Sequence, residues 1–230
     1  MTDDKRFPEG LQAIIFDMDG VLVDSEPLHL LAMQKFLGQF GIEYDESDNR
    51  EFLGRKDMVI AEILIERFKL PDMTPRKFVD FKEEILEDLM RNQGAARPGV
   101  YELLDRAKGT NVKMAVASSA TLPTIKLVME VLSIGDYFLK LCSGDQVKNG
   151  KPAPDIFLMA AQQIAVAPEN CLVIEDTLNG LKAGKAAGMF CVSIPCAATA
   201  HQDHSIADLG LASIDQLPVE AIFGYNSQKN

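Results

Sequence analysis

The sequence predicts an α/β protein whose doubly wound parallel sheet is interrupted by an all-helical insert. The apolar run at 11–16 (LQAIIF), which stops at Asp17, is typical of a strand buried on both faces. Residues 27–92 then show helical periodicity with almost no strand pattern. From position 101 onward, short apolar runs alternate with helical segments, which is the pattern of a parallel sheet built from right-handed crossovers.

The same periodicity orders the elements along the chain. After the first strand, helices are expected near 27–40, 56–69 and 75–91, with Pro71 and Pro75 separating the last two. In the last of these helices, helical spacing predicts a packed face formed by Phe78, Phe81, Ile85, Leu86 and Leu89. Beyond the turn at 97–99 and a helix near 101–108, strands are predicted at 112–117, 137–142, 171–174 and 190–194, with helices at 122–132, 155–164 and 180–187. The predicted domains are a core at 1–24 and 94–230 and a helical domain at 25–93.

Composition excludes several classes of protein. The 230 residues are 47% hydrophobic and 25% charged, as in a globular protein, and no apolar run approaches the ~20 residues that span a membrane. The start MTDDKRFPEG lacks the pattern of a secretory signal, so we expect a cytoplasmic protein without a membrane anchor. A formal net charge of -11 would repel nucleic acid, and an anionic substrate would need local cations. A monomer is the simplest expectation.

The cysteines and the paired histidines do not predict a metal site. Reduced core thiols are favoured over disulfides or zinc ligands for the four cysteines, which lie in or beside apolar runs without C-x-x-C spacing: Cys142, Cys171, Cys191 and Cys196. His201 and His204 have a metal-like spacing, but their polar loop offers no convergent ligands. A surface loop is therefore the preferred interpretation of that segment.

Two carboxylates directly follow the first strand. Because side chains alternate along an extended segment, Asp17 and Asp19 can face one reacting centre while Met18 points into the protein. Ligands of parallel sheets bind outside the carboxyl ends of the strands, so the pair would suit a nucleophile with a proton donor beside it. Taken alone, the segment could equally be a polar strand end that runs into an Asp-Gly turn.

Other polar residues fall at or after the ends of later strands, and the fold would bring them to the same edge. They are Ser118, Lys151, Glu175 and Asp176. Two carboxylates ~4 Å apart repel by ~4 kcal/mol at an effective dielectric near 20, so the four acidic groups would need a cation. Oxygen ligands of this kind suit Mg2+, which could hold a phosphate oxygen while Lys151 and Ser118 bind the others. Read singly, Glu175 and Asp176 could be helix caps and Lys151 an ordinary loop lysine.

Four separated motifs resemble those of the haloacid dehalogenase superfamily of aspartate-nucleophile phosphotransferases. They are DMDGVLVDS, Ser118 in ASSAT, Lys151 in NGKPAPDIF, and Glu175-Asp176 in IEDTLNGLKAGKAAGM. Their order extends the resemblance over nearly the whole chain, and the helical insert sits where this family has a small helical cap domain. Within the superfamily, the chain is most similar to the group that contains beta-phosphoglucomutase and the sugar-phosphate and pseudouridine-phosphate phosphatases.

The resemblance implies a role for each core residue. Asp17 would be the nucleophile and Asp19 the general acid and base. Mg2+ would be held by the Asp17 carboxylate, the Asp19 backbone carbonyl and Asp176, with Glu175 close by through water. Phosphate would contact Lys151, Ser118 and backbone donors near Ser119.

The resemblance also implies that the cap domain selects the substrate. His29 lies at a position that matches the mutase, although an isolated helix histidine is more often structural or exposed. Gly54, Arg55 and Lys56 are the predicted specificity loop, with a glycine for a tight turn and two cations for a polar substrate. The spacing from Gly54 departs from that of the mutase cap loop, which favours a phosphatase.

The predicted function is therefore a Mg2+-dependent phosphatase acting on a small phosphorylated metabolite, most readily a sugar phosphate, through an aspartyl-phosphate intermediate. A hexose phosphomutase is the alternative within enzymes. A haloacid dehalogenase is disfavoured because Asp19, Asp176 and Lys151 together imply metal and phosphate. A non-catalytic ligand-binding protein with the same fold is the alternative of another class.

Overall fold

The computed structural model describes residues 7–52 and 57–224, and the chain divides into two compact units. One unit comprises Met1–Asp24 and Ala95–Asn230, and the other comprises Ser25–Gly94. The first is built around a parallel sheet and is called the α/β unit below. The second contains only helices within its described residues and is called the helical unit.

The α/β unit contains a six-stranded, entirely parallel sheet with the order β3-β2-β1-β4-β5-β6 among the described residues. The strands are β1 Ala13–Phe16, β2 Lys113–Ser118, β3 Lys140–Ser143, β4 Cys171–Glu175, β5 Phe190–Ser193 and β6 Leu209–Gly210. The first strand is central: Ala13 pairs with Lys113 on one side and with Cys171 on the other. All four residues of β1 are fully buried, as the apolar run predicts for a parallel strand.

Helices connect the strands of this unit and cover the sheet. They are α5 Val100–Lys108, α6 Leu122–Val131, α7 Asp155–Gln163, α8 Leu178–Ala186 and α9 Val219–Phe223. Ile15 and Val173 of the sheet share a buried cluster with Phe157 of α7 and Leu181 of α8. This packing fixes one face of the sheet and leaves the carboxyl ends of the strands for polar residues.

The predicted third strand begins later than expected. Gly135–Tyr137 forms a 3-10 turn, and the backbone enters the sheet only where the Leu139 N–H donates to the Met114 carbonyl at 2.8 Å. The Tyr137 hydroxyl donates to a carboxylate oxygen of Asp105 at 2.5 Å, which holds the ring outside the sheet. The aromatic residue was therefore misread as part of a strand. The short β6 and α9 were not predicted.

The helical unit contains α1 Glu26–Gly38, α2 Glu46–Arg50, α3 Asp57–Phe68 and α4 Pro75–Gln93. Its core includes Phe36 and Phe78, whose rings meet edge to face at 4.7 Å between centroids. The unpredicted α2 buries no side chain, and it is held by a capping box in which Asp45 accepts from the Asp48 N–H and Asp48 accepts from the Asp45 N–H, both at 3.0 Å.

One residue of the predicted packed face of α4 is misplaced. Phe81 is 48% exposed, although its ring stacks on Phe36 at 6.4 Å, whereas the neighbouring Lys82 is buried. Lys82 reaches the interior because its ammonium lies 3.0 Å from Asp57 and 3.0 Å from Glu83. Helical spacing cannot anticipate such a paired cation.

All four cysteines are buried free thiols, which agrees with the interpretation drawn from their spacing. Across the residues that the structure describes, none of the helices combines the length and apolar character required to cross a bilayer.

Candidate active site

Asp17 leaves the end of β1 and enters a tight loop. Its backbone N–H donates to the Ile174 carbonyl of β4 at 3.0 Å, which fixes the point where the chain leaves the sheet. The chain then turns back, so that the Gly20 N–H donates to the Val23 carbonyl at 2.9 Å. Gly20 has φ +73°, a left-handed conformation that favours glycine. The Asp-Gly pattern therefore forms a turn, as one interpretation predicted, but the turn lies within a charged site.

Lys151 joins residues that are far apart in the sequence. Its ammonium forms ion pairs with Asp17 and with Glu175, the latter at 2.8 Å, and donates to the Ala117 carbonyl at the end of β2 at 3.2 Å. The lysine side chain is 7% exposed and its ammonium lies 4.8 Å from the centre of the Phe157 ring. Three neighbouring strands thus contribute groups to one buried cation, as expected from the shared sheet edge.

Glu175 ends β4 and is held through both carboxylate oxygens. One oxygen pairs with Lys151, and the other accepts from the N–H groups of Asp176 at 2.9 Å and Thr177 at 2.8 Å and from the Thr177 hydroxyl at 2.9 Å. The Glu175 carboxylate can pack against α8 because residue 180 is a glycine. A Cβ atom at that position would lie 1.5 Å from the Glu175 oxygen that pairs with Lys151. The Glu175 side chain is therefore fixed by α8 as well as by Lys151.

Asp176 is held through only one oxygen. Oδ2 accepts from the Thr199 hydroxyl at 3.2 Å and from the Cys196 thiol at 3.3 Å. Gly20 lies against the same oxygen, since a Cβ atom at Gly20 would be 2.2 Å from it. The other oxygen, Oδ1, is buried and has no hydrogen-bond partner among the described residues. An orphaned carboxylate oxygen in this position is suited to binding a cation.

The three carboxylates form a group that could hold a metal ion. One oxygen from each of Asp17, Glu175 and Asp176 lies within 4.8 Å of the others. Burial raises the pKa of Asp17 well above its ordinary value, an effect that the Lys151 ammonium opposes and the neighbouring carboxylates reinforce. Burial and Glu175 also raise the pKa of Asp176 to about 7. These groups are therefore short of positive charge, and a divalent ion with oxygen ligands fits them.

The other predicted core residues lie at the same sheet edge. Ser118 is buried at the end of β2, and its hydroxyl oxygen accepts from the Ala120 N–H at 3.1 Å. Ser119 is exposed and Asp19 is half-buried. The backbone of Asp19 forms a bridge with Val23, which places its side chain on the loop that follows β1. The roles predicted for these residues stay predictions.

The predicted specificity residues belong to the helical unit. His29 lies in α1 and is half-buried. Gly54, Arg55 and Lys56 lie outside the described residues. All four assignments therefore stay predictions.

Sequence reasoning missed Thr199, Cys196 and Arg97. The first two follow β5 at the carboxyl edge of the sheet, so the rule that identified Ser118 could have identified them too. Arg97 gave no comparable signal. Its guanidinium donates to the carbonyls of Gly20 and, at 3.3 Å, of Ile194, which ties the loop after β1 to the end of β5.

A parallel sheet with clustered carboxylates and a buried lysine at the carboxyl ends of its strands defines a class of α/β enzymes whose sites suit a metal ion. The model of the haloacid dehalogenase-like hydrolase family matches residues 14–194. The chain belongs to this family.

Individual relatives agree over most of the chain. A phosphorylated carbohydrates phosphatase from Thermotoga maritima is 34% identical over 182 residues, covering 78% of this chain and 82% of that protein. The beta-phosphoglucomutase of Bacillus subtilis is 32% identical over 197 residues, covering 80% of this chain and 83% of that protein. The crystal structure of CbbY from Rhodobacter sphaeroides in complex with phosphate superposes with a TM-score of 0.81 at 29% identity. The superposition covers 92% of this chain and 99% of that structure.

These comparisons confirm the family predicted from the four motifs and the α/β fold predicted from the alternation of strands and helices. The predicted enzyme class, a phosphoric monoester hydrolase, is confirmed as well, because the family is one of hydrolases and relatives at 34% and 32% identity are named phosphatases.

Proposed function

We propose that the chain is a Mg2+-dependent phosphatase that hydrolyses a sugar phosphate or a similar small phosphorylated metabolite through an aspartyl-phosphate intermediate. The observation that carries the proposal is the buried cluster in which Lys151 joins Asp17 to Glu175 while Oδ1 of Asp176 has no partner. Relatives named for phosphorylated carbohydrates and for fructose 1-phosphate support the substrate class.

Asp17 is the proposed nucleophile. Its carboxylate attacks phosphorus, the bond to the leaving alkoxide breaks, and the phosphoryl group is carried on the aspartate. Asp19 gives its proton to the departing alkoxide and then removes a proton from the water that attacks the aspartyl phosphate. Hydrolysis releases inorganic phosphate and restores both carboxyl groups. Burial raises the pKa of Asp17, and the Lys151 ammonium beside it opposes that rise and so helps to keep the ionised carboxylate that attack requires.

Asp17, Asp176 and the Asp19 backbone carbonyl are the proposed ligands of Mg2+, with Glu175 close to them. When bound, the ion would neutralise charge on the transferred phosphoryl group. The donor set fits, because its oxygens are hard ligands and one of them lacks any other partner.

Lys151, Ser118 and the backbone near Ser119 are the proposed phosphate-binding groups. Lys151 already lies against the proposed nucleophile, so an oxygen of a phosphoryl group held there would meet its ammonium. The helical unit is proposed to select the leaving group, with His29, Gly54, Arg55 and Lys56 as candidate residues. Substrate profiles of single variants at these four positions would test that assignment.

The main test is phosphate release from a panel of sugar phosphates and nucleotides, with Mg2+ and with EDTA. We expect Mg2+-dependent release that Asp17→Asn reduces by roughly 10^4-fold or more, as when other hydrolases lose a group of the nucleophilic machinery. Asp105→Asn is the matched control, since Asp105 is exposed on α5 and bonds to Tyr137. Release that persists undiminished in Asp17→Asn would contradict the proposed nucleophile.

The same panel separates the alternatives. The relationship to a beta-phosphoglucomutase favours a second candidate, a phosphomutase. Interconversion of beta-glucose 1-phosphate and glucose 6-phosphate in the presence of a bisphosphate primer, without phosphate release, would support that candidate. Neither release nor interconversion, with Mg2+ binding intact, would favour a ligand-binding protein.

A further inference from the structure

We propose that Thr199 is a positioning residue that orients Asp176 toward the metal, and that His204 holds Thr199 in place. The inference rests on the proposed function, because it concerns the ligand geometry of the same site. Neither residue is part of the four motifs, and both lie in the segment that follows β5.

The direction of the Thr199 hydroxyl follows from its neighbours. The backbone N–H of Cys196 donates to the Thr199 hydroxyl oxygen at 3.0 Å, so the hydroxyl hydrogen remains free for another acceptor. Three acceptors lie within reach: Asp176 Oδ2 at 3.2 Å, the Cys196 sulfur at 3.4 Å and the Cys196 carbonyl at 3.5 Å. The carboxylate oxygen is the nearest of the three, and a thiol sulfur is only a weak acceptor.

The Asp176 carboxylate is thereby held in one orientation. The Thr199 hydroxyl and the Cys196 thiol both donate to Oδ2, and the absent side chain of Gly20 leaves room for that same oxygen. No protein donor in the described residues takes Oδ1. A carboxylate with one oxygen engaged and the other without a partner has one oxygen available as a metal ligand.

His204 anchors the segment that carries Thr199. Its Nε2 lies 2.9 Å from the Thr199 carbonyl, and because a carbonyl only accepts, Nε2 must carry a hydrogen. In the neutral ring, Nδ1 then accepts from the Ser193 hydroxyl of β5 at 2.8 Å. Both ring nitrogens of His204 are therefore engaged within the protein.

A second anchor lies two residues before His204. The Gln202 side-chain oxygen accepts from the Leu178 N–H at 2.8 Å, at the start of α8. Asp176 itself lies between β4 and α8, so the segment at 196–204 is tied to the helix that follows the proposed ligand as well as to β5. This double attachment is what a positioning role requires, because hydrogen bonds can only orient a ligand if their donors are themselves fixed.

The test is calorimetric titration of Mg2+ into the whole protein and its variants. Thr199→Val keeps the shape of the side chain and removes the hydroxyl, and we expect it to weaken Mg2+ binding by ~10- to 100-fold, the usual effect of losing a hydrogen bond to a metal ligand. Thr199→Ser retains the hydroxyl and is expected to restore most of the affinity. In phosphatase assays, Thr199→Val should raise the Mg2+ concentration needed for half-maximal rate while the rate at saturating Mg2+ stays near that of the native chain.

Thr110→Val is the matched control. Thr110 is buried in the same unit, and its hydroxyl also both donates and accepts: it donates to the Ala107 carbonyl at 2.8 Å and accepts from the Val112 N–H at 3.2 Å. It precedes β2 and therefore lies at the opposite edge of the sheet from Asp176. We expect Thr110→Val to lower the melting temperature and to leave Mg2+ affinity unchanged.

The outcomes separate this inference from the proposed function. Native affinity for Mg2+ in a folded Thr199→Val would overturn the inference alone, provided that the native chain binds Mg2+ and Asp176→Asn does not. Absence of Mg2+ binding by the native chain would overturn both. If Thr199→Val does not fold, His204→Ala gives the second measurement, because it removes the anchor and leaves the donors to Asp176 in the chain. Unchanged Mg2+ affinity in that variant would overturn the inference too.

Discussion

Within the described residues, each unit of the protein buries a lysine side chain against carboxylates, and the two lysines have different surroundings. In the helical unit, Lys82 is 4% exposed, but its partners Asp57 and Glu83 are 44% and 32% exposed. In the α/β unit, Lys151 is 7% exposed and its partners are buried with it, Asp17 at 10% and Glu175 at 1%. Water therefore stabilises the carboxylates around Lys82, whereas those around Lys151 depend on protein groups.

The two clusters differ in whether their carboxylates have enough partners. Burial lowers the pKa of both lysines, yet their carboxylates outweigh it and raise each pKa above its ordinary value, so both are charged. Around Lys82 two carboxylates share one ammonium and reach solvent. Around Lys151 a third carboxylate, Asp176, joins the group with one oxygen that has no partner. The carboxylates around Lys82 are solvated, whereas the cluster in the α/β unit is short of positive charge and could hold a further cation.

The largest expected difference between the two regions is in stability after removal of each lysine. Lys151→Met leaves two buried carboxylates without their cation, and we expect a loss of ~3–5 kcal/mol in the free energy of unfolding. Lys82→Met keeps the apolar stem against the core and leaves carboxylates that water can solvate, so the loss should be about 1 kcal/mol or less. Urea unfolding of both variants measures this, and equal losses would remove the distinction between the two sites.

A smaller difference is expected from adding one methyl group to a helix of each unit. Gly180→Ala in α8 would place a Cβ atom 1.5 Å from Glu175, so we expect a loss of ~1–3 kcal/mol and a lower rate as the Glu175 to Lys151 pair shifts. In Gly38→Ala of α1, the added Cβ atom would meet no other atom within 4 Å. This variant should stabilise the protein by ~0.5–1 kcal/mol, the usual preference of a helix for alanine over glycine. Thermal unfolding should show a lower melting temperature for Gly180→Ala and a higher one for Gly38→Ala. An unchanged melting temperature in Gly180→Ala would contradict the close packing of Glu175 against Gly180.

A pH-dependent effect concerns Asp176 without metal. Its pKa, 3.8 ordinarily and about 7 in the folded chain, means that the protonated form favours folding at low pH and that this contribution is lost as the pH rises through about 7. At pH 8 in EDTA, we expect Asp176→Asn to have a higher melting temperature than the native chain, and we expect the difference to shrink as the pH falls toward 4.

Adding Mg2+ at pH 8 should reverse that order. The native chain gains stability from binding, whereas Asp176→Asn lacks the ligand and should not respond. Scanning calorimetry at several pH values would show both effects. A native chain that is indifferent to Mg2+ would count against the shortage of positive charge inferred for this cluster.

The fold was accessible from the sequence because its strongest signals are local. The run at 11–16 and the segments CLVI and VKMAVA are mostly apolar, with Gln12 and Lys113 as the exceptions, and each forms a strand within two residues of the predicted bounds. The short helix α2 escaped detection because it has no apolar face and is held by Asp45 instead. Helical spacing placed Phe81 on the packed face of α4, where the structure instead buries Lys82. Burial of this lysine depends on Asp57, which only the tertiary structure brings to it.

The candidate site was accessible for a different reason. Parallel strands end at one edge, so Asp17, Ser118 and Glu175 could be grouped without knowing any side-chain position. Which oxygen of Asp176 is satisfied could not be predicted, because Thr199 and Cys196 come from an irregular segment without a motif. The contacts made by Lys151 likewise needed the geometry, since a loop position alone does not show which carboxylates an ammonium reaches.

The central position of β1 in the sheet has a consequence for synthesis of the chain. Its Ala13 pairs with Lys113 and with Cys171, so β1 must wait, once synthesised, for partners encoded far downstream. At about 5–20 residues per second, roughly 10–30 s separate the synthesis of β1 from that of β4. The helical unit can form in the interval, because its contacts are local in sequence. Until β4 is made, the nascent chain therefore carries an apolar strand that lacks at least one of its two neighbours and that ends in the aspartate proposed as the nucleophile, and such a strand is prone to aggregation.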